Sequence, residues 1–290
     1  MGVALAKKFN GEVISGDSMQ IYKQMDIGTA KVTEEEKEGI IHHCVDILNS
    51  DETYSVHDFQ QTVRKKITEI TQRGHVPIIV GGTGLYIKAA LYDYQFDEME
   101  NDHHAINEKY KDYTNEQLHD HLKSIDEESA KTLHFNNRRR VLRAIEIYET
   151  TGKRKSEMLE EQEHICLYDA YFVGLTLPRD VLYERINKRV DVMMENGLKE
   201  EMERLYSQGL TRNHQSMKAI GYKEWFDYYD HQIDLNDVLE LIKKHSRQYA
   251  KRQYTWFKNQ FDVHWYDVNL ENFEQTIEQV TDDIEKILKV

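Results

Sequence analysis

The sequence predicts an α/β protein built on a parallel sheet, and three observations carry that prediction. Short apolar runs alternate with amphipathic helical stretches up to residue 92. Between about 95 and 168 the apolar runs give way to polar helical segments. One apolar run returns at 170–177, before helices dominate again. Helices placed between buried strands are the crossovers that parallel pairing requires. The expected organisation is a core made of residues 1–94 and 169–290, with a helical insertion over 95–168.

Taken in order, VALAKKF reads as the end of an amphipathic helix stopped by Asn10-Gly11, and EVISGD as a short buried strand. Ser55 with Asp58 has the form of a capping box, opening a helix that runs to Arg73 and stops at Gly74. VPIIVGG is then a continuous apolar strand, and GTGLYIKAALYD turns into a helix. In such sheets ligands bind at the C-terminal strand ends, where Asp17 and the loop Gly81-Gly82-Thr83-Gly84 both fall, so these two points are expected to converge. The insertion carries helices over 114–123, 126–133 and 138–150, the last stopped by Gly152. AYFVGLTL at 170–177 is expected to rejoin the sheet, and Pro178 to open a helix through Glu195. Helices over 198–207, 216–229 and 235–259, an edge strand VHWYDV and an acidic terminal helix complete the chain, without internal repeat or low-complexity linker.

Composition narrows the function classes. Of 290 residues 39% are hydrophobic and 10% aromatic, enough for a sizeable core and against intrinsic disorder. No window approaches the roughly 18 apolar residues of a membrane span, and the start MGVALAKKFNG is charged too soon for a secretory signal. Cys44 and Cys166 are too far apart to draw a disulfide framework or a zinc knuckle, so a cytoplasmic protein is expected. The net charge of −14 is concentrated: residues 93–130 carry 12 acids against 3 bases, and residues 262–290 carry 8 against 2. A polyanionic partner is therefore not excluded, because field strength is local. Arg138, Arg139, Arg140 and Arg143 cluster in the insertion, and residues 243–261 hold six Lys or Arg and no acid. That second run is either a solvated helix face or, since Tyr249, Tyr254, Trp256 and Phe257 interleave with its cations, a surface for stacking on bases and pairing with phosphates.

Asp17, closing its strand, is suited to act as a base, a metal ligand or a turn cap. The GGTG loop lets backbone approach a ligand and leaves the Thr83 hydroxyl at a helix N-terminus, or it is simply a tight turn. The 14 histidines include pairs at His42-His43 and His103-His104 and a near pair at His119 and His121. None has the i, i+4 spacing of a zinc helix, and no metal held by them is expected. No GxSxG elbow marks a serine hydrolase, and nothing suggests a nucleophilic cysteine.

Five ordered segments, ISGDSMQIYKQMDIGTAK (14–31), VPIIVGGTGLYIKAALY (76–92), NNRRRVLRAIEIYETTGK (136–153), SMKAIGYKEW (216–225) and HSRQYAKRQYTWFKN (245–259), together resemble the bacterial tRNA dimethylallyltransferase, or tRNA isopentenyltransferase, family over nearly the whole chain. The resemblance implies a P-loop nucleotide-kinase-like parallel core with a helical insertion that grips the anticodon arm. It implies transfer of a dimethylallyl group from its pyrophosphate to N6 of the adenosine just 3′ of the anticodon, by a cytoplasmic enzyme using Mg²⁺. On it, Asp17 matches the general base and Thr83 the channel residue at the reacting region. Gly81, Gly82 and Gly84 are expected to line the substrate. Asp17, Ser18, Met19, Gln20, Thr83, Arg139, Arg140 and Arg143 are expected to meet tRNA, and Lys243, Lys244, Arg247, Lys251 and Arg252 to track its backbone. A monomer without membrane association is expected.

The sequence departs from the family pattern in two respects. The opening strand and phosphate loop, of the form GPTxxGKT, have no counterpart, and Met1 aligns inside the helix that follows them. The expectation is therefore a core without its first strand and without the usual protein ligand for Mg²⁺. Two family prolines are replaced, by Ile41 before His42 and by Phe135 before Asn136. A catalytically crippled, tRNA-binding remnant is thus the alternative to an active transferase, and a small-molecule kinase of the same core is a weaker third.

Overall fold

The computed structural model describes residues 1–96, 103–160 and 164–288. The chain divides into two units, Met1–Leu91 with Tyr168–Val290, and Tyr92–Leu167.

The first unit begins α1 (Gly2–Lys8), β1 (Gly11–Ser15), α2 (Glu34–Lys37), β2 (His42–His43), α3 (Val56–Gln72), β3 (Val76–Val80) and α4 (Gly84–Leu91). The three strands are parallel in the order β2-β1-β3, with Gly11 opposite Val76 and Ser15 opposite Val80. Central β1 is buried along its length, including Glu12. That carboxylate is tolerated there because Arg73 approaches it at 2.7 Å and His43 at 2.6 Å. Ser55 and Asp58 cap α3 reciprocally, an arrangement worth about 1 kcal/mol. Phe59, Val63, Ile67 and Ile70 recur at helical spacing and form the buried face of α3.

The second unit holds α5 (His103–Lys109), α6 (Asn115–Ile125), α7 (Glu127–Thr132), α8 (Arg138–Thr151) and α9 (Lys155–Glu160). Its core comprises Ile106, Tyr110, Leu118, Leu122, Ala130, Val141, Leu142, Ala144 and Ile145. Asp126, fully buried between α6 and α7, accepts the Ser129 N–H at 3.0 Å and both the N–H and the hydroxyl of Ser156, at 3.1 and 2.7 Å, and so ties α9 to α7. Burial pushes its carboxyl up, but the Ser129 and Ser156 bonds outweigh that and hold it below its ordinary value.

The first unit resumes with β4 (Phe172–Thr176), α10 (Arg179–Glu195), α11 (Leu198–Ser207), α12 (Trp225–Tyr229), α13 (Leu235–Gln260), β5 (Val263–Asp267) and α14 (Phe273–Leu288). Two sequence expectations change here. β4 does not rejoin the first sheet. It pairs in parallel with β5, Phe172 opposite Val263, because the chain returns beside β4 after α13. Both sheets nevertheless share a core, since Ile78 of β3 and Val173 of β4 pack on the cluster of Leu5, Tyr266 and Val280. The helix expected over 216–229 is instead a 3₁₀ turn at Ser216–Lys218 followed by the short α12. The Glu224 carboxylate accepts the Gly221 N–H at 2.9 Å and the Trp225 indole donates to the Gly221 carbonyl at 2.9 Å, so side chains take the groups that a continuous helix would use.

Glu201 of α11 is 1% exposed. Its Oε2 accepts the Asp26 and Ile27 N–H groups, both at 2.9 Å, and its Oε1 accepts the Gly28 N–H at 3.1 Å and the Tyr222 hydroxyl at 2.6 Å. Four donors make the buried carboxylate tolerable and fasten the loop that follows β1 to α11. Replacing Glu201 by Ala orphans all four and is expected to cost about 3 kcal/mol in urea unfolding, with Glu201→Gln milder because it keeps an acceptor. An unchanged midpoint for Glu201→Ala would show that the loop is held by something else.

Candidate active site

The site grows from the C-terminal ends of β1 and β3. Asp17 follows β1 and turns its Oδ1 back onto the N–H groups of Met19 at 2.7 Å and Gln20 at 3.2 Å, an Asx-type turn that fixes the carboxyl plane. Its Oδ2 has no partner among the described residues. Burial pushes the Asp17 carboxyl up from its ordinary value, against the two backbone bonds and the positive field of Arg189.

Thr83 follows β3. Its hydroxyl oxygen accepts the Ser18 N–H at 3.1 Å and lies 3.4 Å from the Ser18 hydroxyl, while its own N–H donates to the Gly16 carbonyl at 3.2 Å. The Gly16 N–H donates to the Val80 carbonyl at 2.8 Å, so the two strand ends are laced together beyond the sheet. Gly81 permits this: a Cβ there would stand 2.3 Å from the Gly16 carbonyl carbon, inside any allowed contact. Asp17 and the glycine-rich loop therefore converge, as their positions at strand ends led us to expect.

Helix α13 closes over the loop. The Gln253 amide donates to the Gly82 carbonyl at 3.0 Å and the Tyr249 hydroxyl reaches the same carbonyl at 3.4 Å. A Cβ at Gly82 would fall 1.8 Å from Gln253 Nε2, and one at Gly84 2.1 Å from Trp256 Cδ1. The glycines thus serve the packing of α13 as much as the approach of a ligand.

The remaining residues singled out in the sequence fall into distinct environments. Gln20 links the end of β1 to the next loop, accepting from the Ser15 hydroxyl at 3.0 Å and donating to the Thr29 carbonyl at 3.2 Å, and Ser18 and Met19 beside it are half-buried. On α8 of the second unit Arg139 and Arg140 are exposed, whereas Arg143 pairs with Glu146 at 2.9 Å. Arg138 is structural, donating to the carbonyls of Tyr110 and Tyr113. Along α13, Lys243 is drawn to Asp191 at 2.8 Å and Glu240 at 3.4 Å, and Arg247 bonds the Asn187 side chain. Lys244, Lys251 and Arg252 are exposed, and Arg252 stands 5.7 Å over the Tyr249 ring. Lys251, Arg252, Thr255 and Asn259 line a cavity of about 470 Å³ on this helix.

Sequence reading missed Arg189 and the site-facing role of Tyr249 and Gln253. Arg189 lies in an ordinary amphipathic helix without local signal. Tyr249 stood out only as an aromatic among cations.

Several histidines serve as internal partners: His43 meets Glu12, His119 the carbonyls of Ala130 and Leu133, and His121 the Tyr110 hydroxyl. His103 and His104 belong to α5. Among the described residues no three His, Cys, Asp or Glu side chains converge on a metal position. The groups beside Asp17 are two hydroxyls already engaged with each other, so the described side chains there do not fit a resident Mg²⁺, which favours carboxylate and phosphate oxygens. No described helix is long and apolar enough to cross a membrane.

A family model described as IPP transferase matches residues 20–260. A tRNA dimethylallyltransferase of Bacillus cereus (strain AH187) is 53% identical over 271 residues, which cover 92% of this chain and 85% of that relative. The crystal structure of a tRNA delta(2)-isopentenylpyrophosphate transferase from Staphylococcus epidermidis is similar with a TM-score of 0.71 and 47% identity, covering 98% of this chain and 94% of the other. A structure of a eukaryotic dimethylallyltransferase acting on tRNA superposes with a TM-score of 0.84 at 32% identity, covering 97% of this chain and 73% of the other.

A carboxyl raised by burial binds its proton at a higher pH in the folded than in the unfolded chain, so stability falls as pH rises through and just above the ordinary carboxylate range, and the deficit persists at neutral pH. Asp17→Asn, which removes the buried charge, is expected to raise Tm at pH 7 and to lose that advantage as pH falls below the carboxylate range. A lower Tm at pH 7 would show that the ionised carboxylate is net stabilising.

Proposed function

The chain belongs to the IPP transferase family, and on that premise we propose that it moves a dimethylallyl group from dimethylallyl pyrophosphate to N6 of the adenosine 3′-adjacent to the anticodon of tRNA. The observation that carries the chemical reading is the Asp17 carboxyl. One oxygen is locked by two backbone N–H groups and the other has no partner among the described residues, at a half-buried position whose neighbour Ser18 donates its N–H to the Thr83 hydroxyl.

The reaction forms a bond between the adenosine N6 and C1 of the dimethylallyl group and breaks the bond from C1 to the pyrophosphate oxygen. The amine is weakly nucleophilic because its lone pair is delocalised into the ring, and in a stacked loop it is also out of reach, so the base must leave the stack. Asp17 Oδ2 accepts the N6 proton as the new bond forms, and burial raises the basicity of that oxygen. The leaving pyrophosphate gathers negative charge, and the Arg189 guanidinium, whose positive field reaches Asp17, is the cation we assign to oppose it. The Thr83 hydroxyl and the loop backbone bound the space between.

RNA contact follows from the exposed cations. Arg139 and Arg140 on α8 and Lys244, Lys251 and Arg252 on α13 are placed to meet phosphates, and Arg143 stands by them with one carboxylate partner. Lys243 and Arg247 are engaged internally and contribute less. Ser18, Met19 and Gln20 lie next to the base, where the extruded nucleotide must pass. A cytoplasmic setting, where tRNA is modified, fits this reading, and the activity named for the relatives favours turnover over binding alone.

With an anticodon stem-loop and labelled dimethylallyl pyrophosphate, single-turnover transfer is expected to fall by on the order of 10²- to 10⁴-fold in Asp17→Ala, with RNA affinity reduced far less because Asp17 is one of several proposed RNA contacts. Arg189→Ala is expected to lose about 100-fold. Wild-type rates in Asp17→Ala would remove the base from this mechanism.

A further inference from the structure

The peptide unit joining Gly82 to Thr83 is held at both ends. Its N–H, on Thr83, donates to the Gly16 carbonyl at 3.2 Å. Its carbonyl, on Gly82, accepts the Gln253 side-chain amide at 3.0 Å and, at a longer 3.4 Å, the Tyr249 hydroxyl. A peptide unit is planar, so bonds at its two opposite poles fix its orientation about the chain. One bond comes from the backbone that follows β1 and the other from α13. Gln253 and Tyr249 lie four residues apart and leave that helix on one face.

The loop depends on the second bond. Gly81 and Gly82 stand in succession ahead of Thr83, and glycine has the widest backbone freedom of any residue, so nothing local fixes the direction in which the chain enters Thr83. A Cβ at Gly82 would fall 1.8 Å from Gln253 Nε2, which means that the Gln253 amide occupies the space a side chain at Gly82 would take. Immediately beyond this peptide unit comes the Thr83 side chain, whose hydroxyl accepts the N–H of Ser18, the neighbour of Asp17, at 3.1 Å. Turning the 82–83 peptide carries that hydroxyl away from Ser18, and a displacement of about 1 Å at a reacting centre costs up to about 100-fold in rate.

We infer that Gln253 is a positioning residue of the transfer reaction, its side-chain amide clamping the Gly82 carbonyl so that Thr83 is presented at the end of β1. The inference rests on the transferase reading and joins two parts of it, because Arg252, exposed and proposed to meet an RNA phosphate, directly precedes Gln253 on the same helix. Gln253 acts through the loop backbone and not on the substrate. Tyr249, with the longer bond to the same carbonyl, is the lesser of the two donors.

The experiment compares the full chain with Gln253→Met, Thr83→Ala, the double variant and Tyr249→Phe in transfer of labelled dimethylallyl pyrophosphate to an anticodon stem-loop, with RNA affinity measured in parallel by fluorescence anisotropy. Methionine keeps the length and neutrality of the side chain and removes the donor. Gln253→Met is expected to lower kcat about tenfold, the equivalent of one lost hydrogen bond, with both KM values and the RNA affinity within about twofold. The double variant is expected to be no slower than Thr83→Ala alone, because the amide acts through Thr83. Tyr249→Phe is expected to lose less than Gln253→Met. Should Gln253→Met fail to fold, Gln253→Glu keeps the shape of the side chain, loses the donor when ionised and is expected to be at least as slow. A wild-type kcat in either folded variant, additive losses in the double variant, an effect confined to KM or to RNA affinity, or a larger loss in Tyr249→Phe would each overturn the inference. No transfer by the unsubstituted chain would overturn the functional reading itself, a separate result from a wild-type rate in Gln253→Met.

Discussion

Everything at the proposed reaction centre depends on how closely the backbones of Gly16 and Gly81 approach. Strands β1 and β3 are paired in register up to Ser15 and Val80, and the next residue on each side is the one that lets the chains stay together past the sheet. A methyl group at Gly81 would enter the Gly16 carbonyl, so any other residue would splay the two strand ends. Splaying would break the Thr83 N–H to Gly16 bond and the Ser18 N–H to Thr83 bond together. Those two bonds tie the Thr83 hydroxyl at one strand end to the residue next to Asp17 at the other. The proposed catalytic geometry and backbone sterics are here one constraint.

One fully buried and one half-buried aspartate show how local bonding sets chemistry. Asp126 receives donors on both oxygens from Ser129 and Ser156 and is held below its ordinary value, which makes it an inert tie between helices. Asp17 receives two donors on one oxygen, and burial prevails, which makes it more basic and leaves an oxygen to act. The same residue type is a structural tie in one unit and the proposed base in the other because of the distribution of two or three N–H and O–H groups.

Much of this was legible in the sequence, for identifiable reasons. The buried runs EVISGD and VPIIVGG announce parallel strands, the Ser55-Asp58 spacing announces the start of α3, and position at strand ends is enough to bring Asp17 and the GGTG loop together. What escaped was non-local. The pairing of β4 with β5 depends on where the chain returns after α13, about 90 residues later. The break in the helix expected at 216–229 depends on the Glu224 carboxylate and the Trp225 indole taking Gly221, which periodicity does not register. The positive field of Arg189 at Asp17 and the approach of Tyr249 to the Gly82 carbonyl arise only through tertiary packing, and the withdrawal of Lys243 and Arg247 from the basic surface depends on Asp191 and Asn187 of a neighbouring helix. Charge runs read from sequence count cations but cannot tell which are already paired.

The central claim is that transfer runs through the ionised, half-buried carboxyl of Asp17. Its most direct test is the pH dependence of single-turnover transfer with RNA and donor both saturating. The account predicts a rate that rises with pH through one ionisation lying above the ordinary carboxylate value and then levels off, since the base works only when deprotonated. A rate independent of pH across and above the carboxylate range, or one that falls as pH rises through it, would contradict it.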